Sequence, residues 1–215
     1  MNRWQELTGG VSGDEYAARF AELARSGKDV HGEARFCSAL LPAGARVLDA
    51  GCGTGRVAIR LAELGHDCVG IDLDDSMLDV ARAQAPELPW YRTDLAAFDP
   101  AALGVAADFD LVVAAGNVFP LLAAGTEATV VERLAGALRP GGLLVAGFGL
   151  DAAHLPVPPG ITLAEYDAYC AAAGLALVDR FATWDADPYD AGGYAVSVHT
   201  RVSPAPESTP ESPDA

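Results

Sequence analysis

The sequence is short of positive charge. Lys and Arg together number 14 against 30 Asp and Glu, giving a formal net charge of −16. No basic cluster relieves this, and a surface so negative repels phosphate backbones and anionic headgroups. Nucleic acid and membranes are therefore not expected as partners. Long apolar runs are also missing, and none approaches the ~18 residues needed to span a bilayer. Met1–Gly10 lacks the apolar segment that a secretory signal carries. The four cysteines, Cys37, Cys52, Cys68 and Cys170, form no CxxC pair, and no nearby His completes a zinc pattern. No metal is expected, and free thiols suit a cytoplasmic setting.

What is present suffices for one folded unit. The chain has 215 residues, of which 51% are hydrophobic, so one well-buried core is the natural expectation. Three stretches divide it: a helical segment over 1–44, an α/β domain over 45–202 and a disordered tail over 203–215. The tail is rich in Pro, Ser and Glu and has no apolar stripe.

Ser12 and Glu15 read as a capping box, followed by Tyr16, Phe20 and Leu23 at helical spacing. A second short helix is expected from Gly32 to Leu40. Strands and helices then alternate. Strands are expected at Arg46–Ala50, Asp67–Asp72, Leu88–Arg92, Phe109–Ala115 and Leu143–Leu150. Helices are expected at Gly55–Leu64, Asp75–Gln84 and Thr126–Leu138. Thr162 and Glu165 form a second capping box, opening a helix to Ala173. Leu175–Thr183 and Tyr194–Arg201 lack a helix between them and should pair as an antiparallel hairpin. Alternation of this kind implies a parallel sheet with helices on both faces.

The strongest local signal is Val47-Leu48-Asp49-Ala50-Gly51-Cys52-Gly53-Thr54-Gly55-Arg56, an apolar strand running through a glycine-rich turn into a helix. Missing Cβ atoms let a ligand approach the backbone closely. Such a loop suits NAD, FAD or another adenosyl ligand. Two details argue against a dinucleotide. Arg56 stands where a GxGxxG fingerprint needs its last glycine. Asp49, directly before the loop, suits a cationic group such as an ammonium rather than a pyrophosphate. Asp72 ends the second strand, where an acid can accept from both ribose hydroxyls. Met77 can lay its thioether on an adenine face or pack in the core. Asp94, after the third strand, can accept from an exocyclic amine. Asp74 and Asp75 read as helix caps.

Taken together, VLDAGCGTGR (47–56), GIDLDDSML (70–78), TDL (93–95), FDLVVAAGNVF (109–119) and LRPGGLLVAGF (138–148) resemble the class I S-adenosylmethionine-dependent methyltransferase family. The resemblance runs from about Val30 to Arg201. It implies a Rossmann-like sheet of seven strands in order 3-2-1-4-5-7-6, with strand 7 antiparallel. It implies S-adenosyl-L-methionine as cofactor. Asp49 and the loop backbone at Gly51 and Gly53 would hold the methionine part, Asp72 the ribose, and Asp94 and Leu95 the adenine. Cys52, Leu73 and Met77 are also counted among the cofactor-binding residues. Gly116 and Asn117 would face the methionine part and the substrate. Asn117 is followed by Val118-Phe119-Pro120, not by the Pro-Pro-aromatic run of enzymes that methylate nucleic-acid amino groups.

The implied reaction is in-line displacement at a sulfonium methyl by a small-molecule acceptor. An S-adenosylmethionine-binding protein without transferase activity and a nicotinamide oxidoreductase are the alternatives. His31 and Tyr16 are the catalytic candidates by type, with His154 behind them, whereas His66 and His199 read as structural. The helices before the sheet are expected to act as a lid, lined by Tyr16, Phe20 and Phe36 and hinged at Gly9-Gly10, Gly13, Gly27 and Gly32. A monomer or homodimer is expected.

Overall fold

The structure is a computed structural model that describes residue 4 and residues 11–155 and 159–202. Gly9-Gly10, most of Met1–Gly10 and the 203–215 tail lie outside the described residues.

β1 (Arg46–Ala50) leaves through the glycine loop into α3 (Arg56–Glu63), and β2 (Asp67–Asp72) leads into α4 (Asp75–Gln84). β3 (Trp90–Arg92), β4 (Phe109–Ala114), α5 (Glu127–Ala137), β5 (Leu138–Gly149), α6 (Leu163–Ala172), β6 (Leu175–Phe181) and β7 (Tyr194–Arg201) complete the sheet and its cover. Before them come α1 (Gly13–Arg25) and α2 (Gly32–Ala39). The sheet order is β3-β2-β1-β4-β5-β7-β6, with β7 antiparallel to both neighbours, as the resemblance implied.

Period-two alternation assigns each strand residue to one of two layers. Val47, Leu111 and Val113 pack with Ala34, Val57, Leu61 and Leu78, under α2, α3 and α4. Leu48, Val112 and Ala114 point the other way, onto Val130, Leu134 and Tyr166 of α5 and α6. Because both faces are covered, β4 is apolar almost throughout.

Two boundaries differ from expectation for visible reasons. β3 begins at Trp90 instead of Leu88, because Pro89 precedes it and offers only its carbonyl, to the Gly70 amide at 3.0 Å. β5 begins at Leu138, five residues early. Phe109 pairs with Leu138 and Leu111 with Leu143, so Arg139-Pro140-Gly141-Gly142 bulges out of a strand that continues past it.

α1 stands apart from this packing. Its capping box is present, with Ser12 and Glu15 each meeting the other's backbone amide. Gly13 is its one buried residue, and Tyr16, Phe20 and Leu23 belong to neither apolar layer. The helix lies against α4. Gly13 donates its amide to Ser76 Oγ at 3.2 Å, and a Cβ on Gly13 would stand 2.1 Å from the Ser76 carbonyl oxygen. Gly13 therefore works as a close backbone contact, not as the free joint that the sequence suggested. Gly27, by contrast, ends the helix at φ +82° with open space around it.

Candidate active site

The parallel strands β1, β2, β3 and β4 point their carboxyl ends at one edge of the sheet. Chain order reverses between β1 and β4, and a crevice opens at such a switch point. A cavity lies there, reached by the ends of all four strands.

The glycine loop forms its floor. Gly51, Gly53 and Gly55 all have left-handed φ values, +75°, +53° and +80°. An L-residue would pay roughly 1–2 kcal/mol at each. The amides of Gly51 and Cys52 both donate to the Ile71 carbonyl, at 2.9 and 3.0 Å, which lashes the loop to β2. Nothing lies within 4 Å of where a Gly53 Cβ would stand, so any side chain there would project into the opening.

Three acids border the cavity. Asp72 accepts the Gly53 amide on Oδ2 and the Asp74 amide on Oδ1, both at 2.8 Å. Burial raises its carboxyl above the ordinary range, against those two bonds. Asp49 is 2% exposed and accepts the Ala58 amide at 3.0 Å. Burial pushes it up to about 7. Asp94 is exposed and caps a single 3-10 turn through the Ala96 amide at 2.9 Å. Each oxygen accepting one amide retains a lone pair for a ligand.

Leu73, Met77 and Leu95 line the adjoining wall, and Gly116 lies at the end of β4. Cys52 also borders the cavity, but burial pushes its thiol well above the ordinary range, so it is no nucleophile. The segment after β4 contributes Val118, Leu121 and Leu122 to its wall.

Tyr16 reaches the same cavity from α1, and Trp4 stands edge-on to it at 5.9 Å. Burial raises the Tyr16 hydroxyl, outweighing the pull of Arg56. Tyr16 therefore keeps its proton at neutral pH and offers a hydrogen bond, not a base.

Three candidates are not on the cavity wall. His31 is exposed at the start of α2, its amide tied to Asp29 Oδ1 at 2.8 Å. Asn117 adopts φ +68° and turns its amide away from the opening. Its Oδ1 accepts from the Gly149 amide at 2.8 Å and its Nδ2 donates to the His154 carbonyl at 3.3 Å, joining the β4 loop to the end of β5. His154 is likewise off the wall, bound through Nδ1 to Asp151 at 2.8 Å. His66 and His199 are buried within the fold, and burial lowers His199 to about 4.

In sequence, Arg56 speaks only against a dinucleotide. In the structure it lines the cavity and forms a double hydrogen bond with Glu33, at 2.8 and 2.5 Å. The signal was available: a cation at the first helical position opposes the helix dipole and needs another reason to be there.

A family model described as a methyltransferase domain matches residues 47–142. A TehB-like SAM-dependent methyltransferase from Corynebacterium glutamicum is 35% identical, with a TM-score of 0.79 over 88% of this chain and 97% of that one. The chain belongs to the S-adenosylmethionine-dependent methyltransferase family. The CcbJ methyltransferase of Streptomyces caelestis is 26% identical with a TM-score of 0.69, covering 80% of this chain and 89% of its own. Magnesium-protoporphyrin O-methyltransferase of Rhodobacter capsulatus is 36% identical over 118 residues, which are 52% of this chain. That match takes in 48% of the relative's own length, and other curated relatives are covered less. S-adenosylmethionine is the cofactor of this methyltransferase. The residues present fit it: a Cβ-free loop opens onto the cavity at Gly53, with carboxylates and an apolar wall beside it.

Proposed function

We propose that this methyltransferase transfers a methyl group from S-adenosylmethionine to a small-molecule acceptor in the cavity. The observation that carries the reading is the convergence of the glycine loop, Asp72, Asp94 and Gly116 on one opening at the switch point. When bound, the cofactor supplies an electrophilic methyl group on a sulfonium centre.

The chain's own residues position the partners and exclude water. The Gly51–Gly53 backbone and Asp49 take the methionine part, Asp49 by its charge toward the ammonium. Asp72 takes the ribose hydroxyls with its remaining lone pairs. Asp94 and the Leu95 amide take the adenine edge, with Leu73 and Met77 against its face and ribose. Gly116 leaves room beside the reacting centre. Tyr16 donates a hydrogen bond on the acceptor side.

α1 is a lid, whereas α2 belongs to the apolar layer beneath the sheet, where Phe36 is buried against Phe181 and Trp184 instead of lining the cavity. Support comes from α1, whose aromatic face lies outside both apolar layers while Tyr16 borders the cavity. Nucleic acid is not the substrate: the net charge of −16 opposes it, and a gel shift at low salt should show no retained complex. Four buried free thiols support a reducing, cytoplasmic setting. Among the described residues no helix is long and apolar enough to cross a membrane.

The test is transfer of radiolabelled methyl from S-adenosylmethionine to a fractionated metabolite pool. Label appearing in a small-molecule fraction supports the reading. Tight S-adenosylhomocysteine binding with no labelled product in any fraction would favour a binding protein without transferase activity.

A further inference from the structure

Arg56 is the first residue of α3, directly after Gly55 of the cofactor loop. Its guanidinium bonds nothing on its own helix. Nη1 donates to Glu33 Oε2 at 2.8 Å and to the Val30 carbonyl, and Nη2 donates to Glu33 Oε1 at 2.5 Å. Its carbon lies 4.6 Å from the centre of the Phe20 ring. Phe20 in turn packs on Tyr16, ring centres 5.0 Å apart. The ion pair is well shielded, with side chains 16% and 17% exposed. One side chain at the start of α3, directly after the cofactor loop, thus gathers three separate pieces of the N-terminal segment: α1 through Phe20, the turn through Val30 and α2 through Glu33.

The far end of α1 has its own anchor. Gly13 binds Ser76, in the first turn of α4, four residues beyond Asp72. α1 therefore spans the two loops that the cofactor joins, the glycine loop and the β2–α4 turn. A shift of either loop moves an anchor of the helix that carries Tyr16.

We infer that Glu33 and Arg56 form a latch that registers the shape of the cofactor loop and holds Tyr16 over the cavity accordingly. Both are positioning residues, acting through α1. The planar fork matters as well as the charge, because a bidentate pair fixes direction where a point charge does not. The inference rests on the lid reading above.

Hydrogen exchange with S-adenosylhomocysteine as the probe tests it. In the wild type, the ligand should slow the amides of Tyr16–Ala24. If it binds by calorimetry yet leaves those amides unchanged, the lid reading fails. If it does not bind, the cofactor reading fails. The latch itself is read from Glu33→Gln and Arg56→Lys. Each should speed α1 exchange by about tenfold with ligand bound, the factor one charge-assisted hydrogen bond represents. Amides of β1 and β4 should stay as slow as in the wild type. The double variant Glu33→Arg with Arg56→Glu restores the pair and should restore part of the protection. Wild-type α1 exchange in Glu33→Gln, or in Arg56→Lys, overturns the latch. So does a swap with no recovery while the sheet remains folded.

Discussion

Asp72 shows how one side chain serves both fold and site. Its two oxygens fix the Gly53 and Asp74 amides, and their remaining lone pairs face the cavity. Asp72→Ala should weaken S-adenosylmethionine binding by roughly 10- to 100-fold, from the loss of charge-assisted bonds worth about 1.5–3 kcal/mol. Calorimetry on a folded variant checks this; unchanged affinity removes Asp72 from the site. Asp49 makes a different prediction. Its folded value of about 7 exceeds the ordinary 3.8, so the folded state holds a proton that the unfolded chain has released. Its contribution to stability is full below the ordinary value and is lost as pH rises through about 7. Asp49→Asn keeps an acceptor for the Ala58 amide and should melt higher than wild type at a pH above that range. The gap should close as pH falls toward the ordinary carboxylate value. The ligand's ammonium favours ionised Asp49, so S-adenosylhomocysteine affinity should fall by up to about tenfold per pH unit below 7. Melting curves and titrations across that range decide both; pH-independent binding would take the ammonium away from Asp49.

At the scale of the element, α1 is a helix with good local signals whose tertiary hold comes from α4 and Arg56, not from the apolar layers. Its capping box and its Tyr16-Phe20-Leu23 spacing make it legible in sequence. What the spacing does not reveal is which surface that stripe meets. It meets the cavity rim and Arg56 instead of the core. Gly13→Ala isolates the α4 anchor. The added methyl would stand 2.1 Å from the Ser76 carbonyl oxygen, a clash with backbone that only a shift of α1 relieves. We expect thermal stability to change by less than about 1 kcal/mol, because no core side chain moves. S-adenosylhomocysteine should dissociate several-fold faster. A loss of stability well beyond that bound, with ligand release unchanged, would make α1 an ordinary structural helix.

For the whole molecule, the decisive experiment is removal of residues 1–30. This deletes α1 and leaves α2 with its buried Ala34, Phe36 and Cys37 in place. A lid predicts a cooperative sheet with weaker cofactor retention and no turnover. A core role predicts an aggregated or molten product, and circular dichroism with thermal melting distinguishes the two.

Local chemistry determined much of this protein. The strand edges at Arg46–Ala50, Asp67–Asp72 and Tyr194–Arg201 fall where alternation and turn residues put them, and both capping boxes are formed. The glycine loop and the acids after it marked the cofactor end, because backbone geometry and short-range caps are written in neighbouring residues. Tertiary structure decided the rest. Asn117 and His31 were plausible by type and sequence position, yet the side-chain amide of Asn117 is spent on Gly149 and His154, His31 is exposed, and neither residue lines the cavity. Arg56 reads in sequence as a missing glycine, and only the fold brings Glu33 to it across 23 residues. The β5 bulge needed the register of β4 to appear. Contacts between distant segments depend on which faces meet after the sheet closes, and no local spacing encodes that.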